Sequence, residues 1–283
     1  MIFWIASYPK SGNTWVRALI SAYYYSKDGM FSEALIKNIG QFPEKVHFNG
    51  FDYNKEIITD TTRFWIKAQE RINVDKKVKF KKTHNSLSSI NGFNFTDKKN
   101  TIACIYVVRD PRNLITSLKN HYELDYDKAL NFMTNEKKFI FDYQKENDYS
   151  DFQFISSWEK NFLSWKNQKD FPIEVIRYED LLSKPYETFE KMIIFINKIT
   201  KIKGEINKEK LRNSINSTSF KNLKEYEKKY GFSESIYSKK NKKNLPFFYL
   251  GPDNDWKKIL DHKFQIKLNN IFKKSLEYFS YIK

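Results

Sequence analysis

Short apolar runs alternate with amphipathic stretches along this chain. The runs Ile2–Ser7, Ile102–Val108 and Ile173–Ile176 are short and rich in large or β-branched apolar residues, which is typical of buried strands. Each is followed by polar residues and then by apolar positions at helical spacing. Strands separated by helices predict a central parallel sheet with helices on both faces. No internal repeat or Pro/Gly/Ser linker divides the chain, so we expect an α/β fold in one domain over residues 1–283.

The spacing of apolar residues also predicts the helices. The first begins at Thr14, with Asn13 or Thr14 as its N-terminal cap, and a second follows the strand-breaking pair Asp110-Pro111. Three more are predicted over Phe154–Trp165, Glu187–Ile199 and Asp261–Phe279. Ligands of parallel sheets bind at the carboxyl ends of the strands, so candidate binding residues are expected directly after each predicted strand.

The loop after the first strand, Tyr8–Asn13, has the composition of an anion-binding turn. Lys10 supplies a positive charge, and Ser11 and Thr14 supply hydroxyls at the start of a helix, whose N-terminus attracts phosphate. None of the eight glycines precedes a lysine, so the nucleoside triphosphate motif GxxxxGK[ST] is absent. By itself, this loop is equally consistent with a phosphate site and with a plain turn.

The second strand ends at another candidate anion site. Arg109 directly follows Val108, and Ser117 comes eight residues later on the predicted helix. A guanidinium group with a hydroxyl nearby matches the oxygens of a phosphate, although Arg109 could instead pair with a neighbouring carboxylate. Two anion sites at the ends of two strands of one sheet would suit a nucleotide that is phosphorylated at two separate positions.

Composition narrows the classes of function. The 283 residues have a mean hydropathy of -0.69 and a formal charge of +16, and residues 201–250 hold 13 Lys or Arg against five Asp or Glu. That region suits either an anionic ligand or a solvated surface. Cys104 is the single cysteine and the four histidines lack HExxH spacing, so neither an intrachain disulfide nor a zinc hydrolase is expected. No apolar run reaches the ~20 residues of a membrane span, and the N-terminus does not resemble a secretory signal, which favours a cytoplasmic protein.

Six motifs in order give the chain a resemblance to sulfotransferases that use 3′-phosphoadenosine 5′-phosphosulfate (PAPS). Tyr8–Trp15 resembles their 5′-phosphosulfate loop, and Arg109–Ser117 resembles their 3′-phosphate motif, with the same spacing from arginine to serine. The other four resemble the segment of the catalytic histidine, two adenine-side segments and the end of the C-terminal loop: Lys82–His84, Tyr178–Asp180, Thr218–Phe220 and Asp255–Lys257. The resemblance is to a cytosolic-type, bacterial-like member and implies a single P-loop-like domain.

The resemblance implies a role for each matching residue. His84 would be the general base that takes the acceptor's proton, and Lys10 and Lys82 would stabilise negative charge around the transferred sulfuryl group and the leaving phosphate. Without the flanking motifs, His84 would be an ordinary polar histidine at a strand end. Arg109 and Ser117 would bind the 3′-phosphate. The 5′-phosphosulfate would be held by Lys10, Ser11, Gly12, Asn13 and Thr14, with further cofactor contacts from Trp15, Tyr178, Thr218, Phe220 and Gly251. PAPS is the expected cofactor, adenosine 3′,5′-bisphosphate (PAP) its product, and no metal is required.

The chain departs from the family pattern at two places. Many members have Arg-Lys-Gly before the Asp-Trp-Lys of the C-terminal loop, and both basic residues help to bind the 3′-phosphate. This chain has Tyr249-Leu250-Gly251 there, so two charged contacts are missing. Four upstream lysines could substitute: Lys239, Lys240, Lys242 and Lys243. Asn13 stands where threonine is common, which keeps a polar contact.

Three functions are candidates for these residues. The favoured one is transfer of a sulfuryl group from PAPS to a hydroxyl or amine. A kinase-like enzyme would need Mg²⁺ and the Walker lysine, and a non-catalytic basic module for nucleic acid or acidic glycans would leave His84 dispensable.

The acceptor is expected to be a small molecule, a lipid or a saccharide, and nucleic acid is not an expected partner. Its binding residues are expected within Phe31–Lys77 and Tyr122–Asp151, and the oligomeric state stays open. Three carboxylates could orient the acceptor, although surface solvation is the simpler role for each: Asp127, Glu136 and Asp142.

Overall fold

A computed structural model describes residues 1–142, 148–238 and 241–282. The strands in these ranges are β1 (Ile2–Ser7), β2 (Lys79–Thr83), β3 (Ser89–Ile90), β4 (Phe93–Asn94), β5 (Thr101–Val108), β6 (Phe139–Ile140), β7 (Gln153–Phe154), β8 (Ile173–Arg177), β9 (Tyr237–Ser238) and β10 (Lys243–Asn244). In this part of the chain, β2, β1, β5 and β8 lie side by side in that order in one parallel sheet. The remaining strands form short antiparallel pairs, β3 with β4, β6 with β7 and β9 with β10.

Helices surround this sheet. In chain order they are α1 (Asn13–Tyr25), α2 (Glu33–Ile36), α3 (Trp65–Ile72), α4 (Pro111–His121), α5 (Tyr126–Thr134), α6 (Trp158–Lys166), α7 (Tyr178–Ser183), α8 (Pro185–Thr200), α9 (Lys208–Ser217), α10 (Phe220–Tyr230), α11 (Trp256–Ile259), α12 (His262–Ile271) and α13 (Lys273–Tyr278). None of the helices in the described ranges has both the length and the apolar character that crossing a bilayer requires.

The central strands bury both of their faces. On β1, Phe3 and Ile5 pack with apolar residues of α1, α8 and α9, whereas Trp4 and Ala6 pack on the opposite face with residues of α3, α4 and α6. Successive side chains of a strand point to opposite faces, so a continuous apolar run such as Ile2–Ser7 can only be satisfied with helices on both sides. The predicted α/β fold is therefore confirmed, together with its parallel sheet.

One strand of the sheet was not predicted from hydrophobicity. Strand β2 contains three lysines and a threonine among its five residues and buries only part of its length, with Phe80 packed into the core. It lies at an edge of the sheet and pairs with β1, Ile5 standing opposite Lys82. An edge strand has one neighbour only and carries a weaker apolar pattern than a central strand. Strand β2 is therefore a strand because it pairs with β1, and its own sequence pattern does not reveal it.

The start of the first helix differs from the prediction. Helix α1 begins at Asn13, and Gly12 stands at the cap position with no side-chain hydrogen bond to the helix. The Asn13 amide instead donates to the Ile5 carbonyl and to Ser7 Oγ, which ties the loop back to β1. Neither Asn13 nor Thr14 is the cap, and that prediction is wrong.

Two other helices have different limits from those predicted. The helix predicted over Phe154–Trp165 begins only at Trp158, because the Ser157 side chain accepts a hydrogen bond from the backbone of Lys160 and thereby caps α6. Phe154 itself belongs to β7, and the prediction is wrong there.

The helix predicted over Asp261–Phe279 is divided at Phe272 into α12 and α13. Leu268, Phe272 and Leu276 keep a spacing of four residues across the break, so the apolar pattern did not reveal it. The predicted helix Glu187–Ile199 lies within α8.

Residues 231–238 and 241–251, here called the cover segment, lie over the carboxyl end of the sheet. Phe232 and Phe248 of this segment pack with Leu223 of α10 in a small apolar cluster, which Trp15 and Phe220 also contact. The cover segment thereby forms one wall of a cavity whose opposite wall is built by the strand ends.

Candidate functional site

A cavity of about 730 Å³ lies at the carboxyl ends of the four parallel strands. Each strand leads into a residue that lines it: Lys10 after β1, His84 after β2, Arg109 after β5 and Tyr178 after β8. Parallel strands end at the same edge of a sheet, which is why positions so far apart in sequence meet here. The predicted site residues that line the cavity are Lys10, Gly12, Asn13, Thr14, Trp15, Lys82, His84, Arg109, Ser117, Tyr178, Phe220 and Gly251.

Two predicted residues do not line the cavity. Ser11 is fully buried, and its hydroxyl makes no hydrogen bond within the described ranges. Thr218 is also fully buried, and its hydroxyl donates to the Ser214 carbonyl at the end of α9. Thr218 thus supports the helix that precedes Phe220.

The loop between β1 and α1 has an unusual backbone. Lys10 and Gly12 both have left-handed backbone angles, with φ of 66° and 102°. A Cβ atom on Gly12 would lie 2.5 Å from the Tyr178 ring, so this position requires glycine for space as well as for conformation. Strained backbone of this kind persists where the surrounding structure enforces it, and it occurs often at functional sites.

Lys10 is partly buried. Its ammonium group lies 3.3 Å from Nδ1 of His121 and 3.8 Å from the centre of the Phe247 ring in the cover segment. Burial lowers the pKa of Lys10 to about 7, with Lys82 and Arg109 contributing in the same direction. The ammonium group of Lys10 therefore loses its proton easily near pH 7, and an anion bound beside it favours the protonated, charged form.

His84 is oriented by a hydrogen bond to the strand that precedes the Lys10 loop. Its Nδ1 lies 2.8 Å from the carbonyl oxygen of Ser7, which can only accept, so Nδ1 carries the proton and Nε2 is the basic nitrogen. The His84 backbone is fixed on both sides, its N–H donating to Gln153 and its carbonyl accepting from Asn161. Burial, reinforced by Lys82, lowers the pKa of His84 to about 3, which keeps the imidazole neutral at pH 7.

Lys82 lies beside this histidine. It is the second-last residue of β2 and lines the same cavity. Burial lowers the pKa of Lys82, and the charge of a carboxylate, Glu234, acts in the opposite direction.

Arg109 connects the two predicted anion sites. One of its terminal nitrogens donates to Ser117 Oγ and to the Lys10 carbonyl, each at 3.2 Å. Its guanidinium group lies 4.3 Å from the centre of the Tyr178 ring, and its Nε makes no hydrogen bond within the described ranges. Arg112 differs from Arg109 because it has a carboxylate partner. It forms a buried ion pair with Asp110, in which the nitrogen and oxygen lie 2.7 Å apart.

Aromatic side chains continue the cavity beyond Arg109. Trp15 and Tyr178 meet edge to face with their ring centres 5.6 Å apart. Phe220 lies against Gly251 so closely that a Cβ atom at that glycine would be 2.3 Å from its ring. Flat apolar surfaces of this kind can stack against a base.

The segment that lacks the expected basic pair also lines the cavity. Tyr249 and Leu250 stand where charged residues were expected, and Lys224 of α10 donates to the Tyr249 carbonyl at 3.2 Å. Lys242 and Lys243 are exposed and are not among the described residues that line the cavity. The other two suggested substitutes, Lys239 and Lys240, lie outside the described residues.

Of the carboxylates that could orient an acceptor, Asp142 lines the cavity. Its backbone N–H donates to Asp151, which lines the cavity as well. Asp127 instead forms an exposed ion pair with Lys267, and Glu136 lies 3.9 Å from Lys160.

Three residues of the site were missed in the sequence. His121 stands four residues after Ser117 on α4, a helical spacing that could have revealed it. Arg17 stands three residues after Thr14 on α1, also on the same face. Glu234 accepts hydrogen bonds from both Thr14 and Arg17, yet it is more than 200 residues away and carried no signal of its own.

Comparison with known proteins supports the fold and the family. The profile of the sulfotransferase domain family matches residues 2–280. Luciferin sulfotransferase of Photinus pyralis is 24% identical over an alignment of 294 positions that covers 98% of this chain and 72% of that protein. Sulfotransferase 1A1 of Rattus norvegicus is 21% identical over an alignment of 230 positions that covers 78% of this chain and 66% of that protein. The crystal structure of a mouse sulfotransferase complexed with PAP has a TM-score of 0.55 at 19% identity and covers 97% of this chain and 84% of that one.

Proposed function

The chain belongs to the sulfotransferase domain family, and from this premise we propose that it transfers a sulfuryl group from PAPS to a hydroxyl or amine. The observation that carries the proposal is the hydrogen bonding of Arg109, whose one nitrogen contacts both Ser117 and the carbonyl of Lys10. It joins a site suited to one phosphate with a loop suited to another. We propose that the domain covers residues 1–283 and acts in the cytoplasm.

Buried polar groups fit a ligand with several anionic oxygens. The Arg109 side chain lines the cavity, and its Nε is buried without a partner in the described ranges. A buried group of this kind is costly unless a hydrogen bond satisfies it. PAPS would bring its 3′-phosphate to Arg109 and Ser117 and its 5′-phosphosulfate to the Lys10 loop. Its base would lie among Trp15, Tyr178 and Phe220. The Ser11 hydroxyl also lacks a partner in the described ranges, and because it does not line the cavity it would reach the phosphosulfate only if its side chain turned.

When bound, PAPS supplies an activated sulfuryl group with PAP as the leaving group. His84 would accept the acceptor's proton at Nε2, because Nδ1 is committed to Ser7. Lys10 and Lys82 would stabilise the charge that grows on the transferred group and on the departing phosphate oxygen. In this mechanism the acceptor oxygen or nitrogen forms the new bond to sulfur as the bond from sulfur to the phosphate oxygen breaks.

The acceptor would contact the part of the cavity that the two expected acceptor segments build. Residues of both segments line the cavity, among them Gln41, Tyr122 and Phe141. This combination of amide, phenol and phenyl groups suits a small molecule, a lipid or a saccharide with both apolar and hydrogen-bonding parts.

Calorimetry tests the proposal directly. Binding of PAP is compared with binding of 5′-AMP and of ATP with Mg²⁺, in the wild type, in Arg109→Ala and in the control Arg212→Ala, an exposed arginine of α9. We expect a preference for PAP that is lost in Arg109→Ala and kept in the control. A preference for Mg²⁺·ATP would indicate phosphoryl transfer, and no nucleotide binding at all would favour a non-catalytic basic module.

A further inference from the structure

The carboxylate of Glu234 lies among cations at the start of α1. It accepts a hydrogen bond of 2.6 Å from Thr14 Oγ1 and a second, charge-assisted one from the guanidinium of Arg17. Burial alone would raise the pKa of Glu234, but Lys82 and Arg17 outweigh it and hold this pKa well below its usual range. The cover segment therefore places one permanent negative charge beside the loop to which the cofactor's phosphosulfate is assigned.

The guanidinium of Arg17 is oriented without help from Glu234. Its Nε donates to the Ile39 carbonyl at 3.1 Å, and the residue is only 5% exposed. The terminal nitrogen that contacts Glu234 is thus held towards Thr14 by the backbone around Ile39. A planar guanidinium fixed in this way is prepared to bind a carboxylate, a phosphate or a sulfate oxygen.

The hydroxyl of Thr14 makes the two anions exclude each other. A hydroxyl has one hydrogen to donate, and in this structure it goes to Glu234. An oxygen of a phosphosulfate group can accept this hydrogen bond only if it replaces the Glu234 carboxylate. Two anions side by side at Thr14 would also repel each other. When Glu234 leaves, the terminal nitrogen of Arg17 is left buried and charged without its partner, which is costly unless an oxygen of the incoming group replaces it.

We propose that Arg17 is a further cofactor-binding residue, which binds an oxygen of the phosphosulfate group at the position held here by the Glu234 carboxylate. This inference rests on the proposed function. Cofactor binding exchanges one anion for another and moves Glu234, with the part of the cover segment that carries it, away from Arg17. Glu234 then acts as a competitor of the cofactor, whereas Arg17 serves both anions in turn.

The alternative is that Arg17 only anchors Glu234. The two cases predict opposite signs, because removal of a pure anchor would release Glu234 and strengthen cofactor binding. Removal of a cofactor-binding arginine weakens it. Adenosine 3′-phosphate separates the effect further, since it lacks the 5′ group that Arg17 and Thr14 would bind.

The experiment measures calorimetric affinities for PAP and for adenosine 3′-phosphate. The variants are Arg17→Gln, Glu234→Gln and the double variant, with Arg212→Gln and Glu225→Gln as exposed controls of matching charge change. We expect Arg17→Gln to weaken PAP binding about 10- to 100-fold, as for the loss of a charged hydrogen bond, and to leave adenosine 3′-phosphate nearly unaffected. Glu234→Gln should strengthen PAP binding, and Arg17→Gln should still weaken it in that background.

Each other result has a defined meaning. Any of three results would overturn the inference: equal or tighter PAP binding by Arg17→Gln, equal losses of affinity for PAP and adenosine 3′-phosphate, or no gain of PAP affinity in Glu234→Gln. The proposed function would still be upheld if the wild type binds PAP. Absence of PAP binding in both the wild type and Glu234→Gln would overturn the proposed function itself. If thermal unfolding shows that Arg17→Gln is not folded, Arg17→Lys replaces it, and its PAP affinity must then lie below that of the wild type.

Discussion

Nδ1 of His84 lies 2.8 Å from the carbonyl oxygen of Ser7, so the end of one strand sets the tautomer of a histidine at the end of its neighbour. The register of β1 and β2 makes this contact possible. Ala6 pairs with Thr83, and the residues that follow them in the chain are Ser7 and His84. The basic nitrogen of the imidazole is therefore Nε2. Proton removal from an acceptor requires a neutral imidazole with its basic nitrogen free, and the negative charge of a bound phosphosulfate would raise the low pKa of His84 towards that of an effective base.

Replacement of His84 should separate catalysis from cofactor binding. His84→Asn removes the proposed base, so we expect sulfuryl transfer from PAPS to fall by about 10²- to 10⁴-fold while PAP affinity stays unchanged. The exposed His262→Asn serves as control. Transfer assays with labelled PAPS and calorimetry with PAP check both halves. A fully active His84→Asn, or one that fails to bind PAP, would contradict the assigned role.

The pKa of Lys10 predicts that cofactor binding takes up protons. Burial lowers this pKa to about 7, so Lys10 is mostly neutral at pH 8, and a bound anion favours its charged form. We expect uptake of about one proton per PAP at pH 8 and an affinity that falls as pH rises from 7 to 9. Calorimetry in HEPES and Tris, which differ in ionisation enthalpy, measures the uptake. Lys10→Met should reduce it, and proton release in the wild type would refute the prediction.

The ion pair between Asp110 and Arg112 should matter for stability. Both side chains are buried, and Asp110 also caps α4 by accepting from the Arg112 backbone. Asp110→Asn leaves the guanidinium without its carboxylate, so we expect a loss of about 3–5 kcal/mol in the free energy of unfolding. Asp127→Asn breaks an exposed pair with Lys267 and should cost at most about 1 kcal/mol. Urea denaturation compares the two, and similar losses would show that burial is not the cause.

A methyl group at Gly12 should damage the site through Tyr178. Gly12→Ala places a carbon 2.5 Å from that ring and at a backbone angle that favours glycine. Gly50 shares the positive φ but has open space at its Cβ position, which makes Gly50→Ala a control for the conformational cost alone. We expect about 1–2 kcal/mol of destabilisation for Gly50→Ala. Gly12→Ala should lose more and should also weaken PAP binding, and equal effects in denaturation and calorimetry would refute the steric argument.

The chain's own pattern determined the class of fold and the strand ends that meet at the cavity. Apolar runs such as Ile2–Ser7 need burial on both faces, and parallel strands gather their carboxyl ends at one edge, so the positions of Lys10, Arg109 and Tyr178 followed from local signals. The polar strand β2 escaped prediction because its pairing with β1, and not its own hydrophobicity, makes it a strand.

Only the tertiary structure decided the charges and partners within the site. Glu234 reaches Arg17 and Thr14 across more than 200 residues, and no local periodicity reports a contact of that range. The low pKa of His84 arises from burial and from Lys82, and its tautomer from Ser7, all of which depend on how the strands pack. Spacing along a chain specifies which faces are apolar, whereas hydrogen bonding and desolvation depend on distances that exist only after folding.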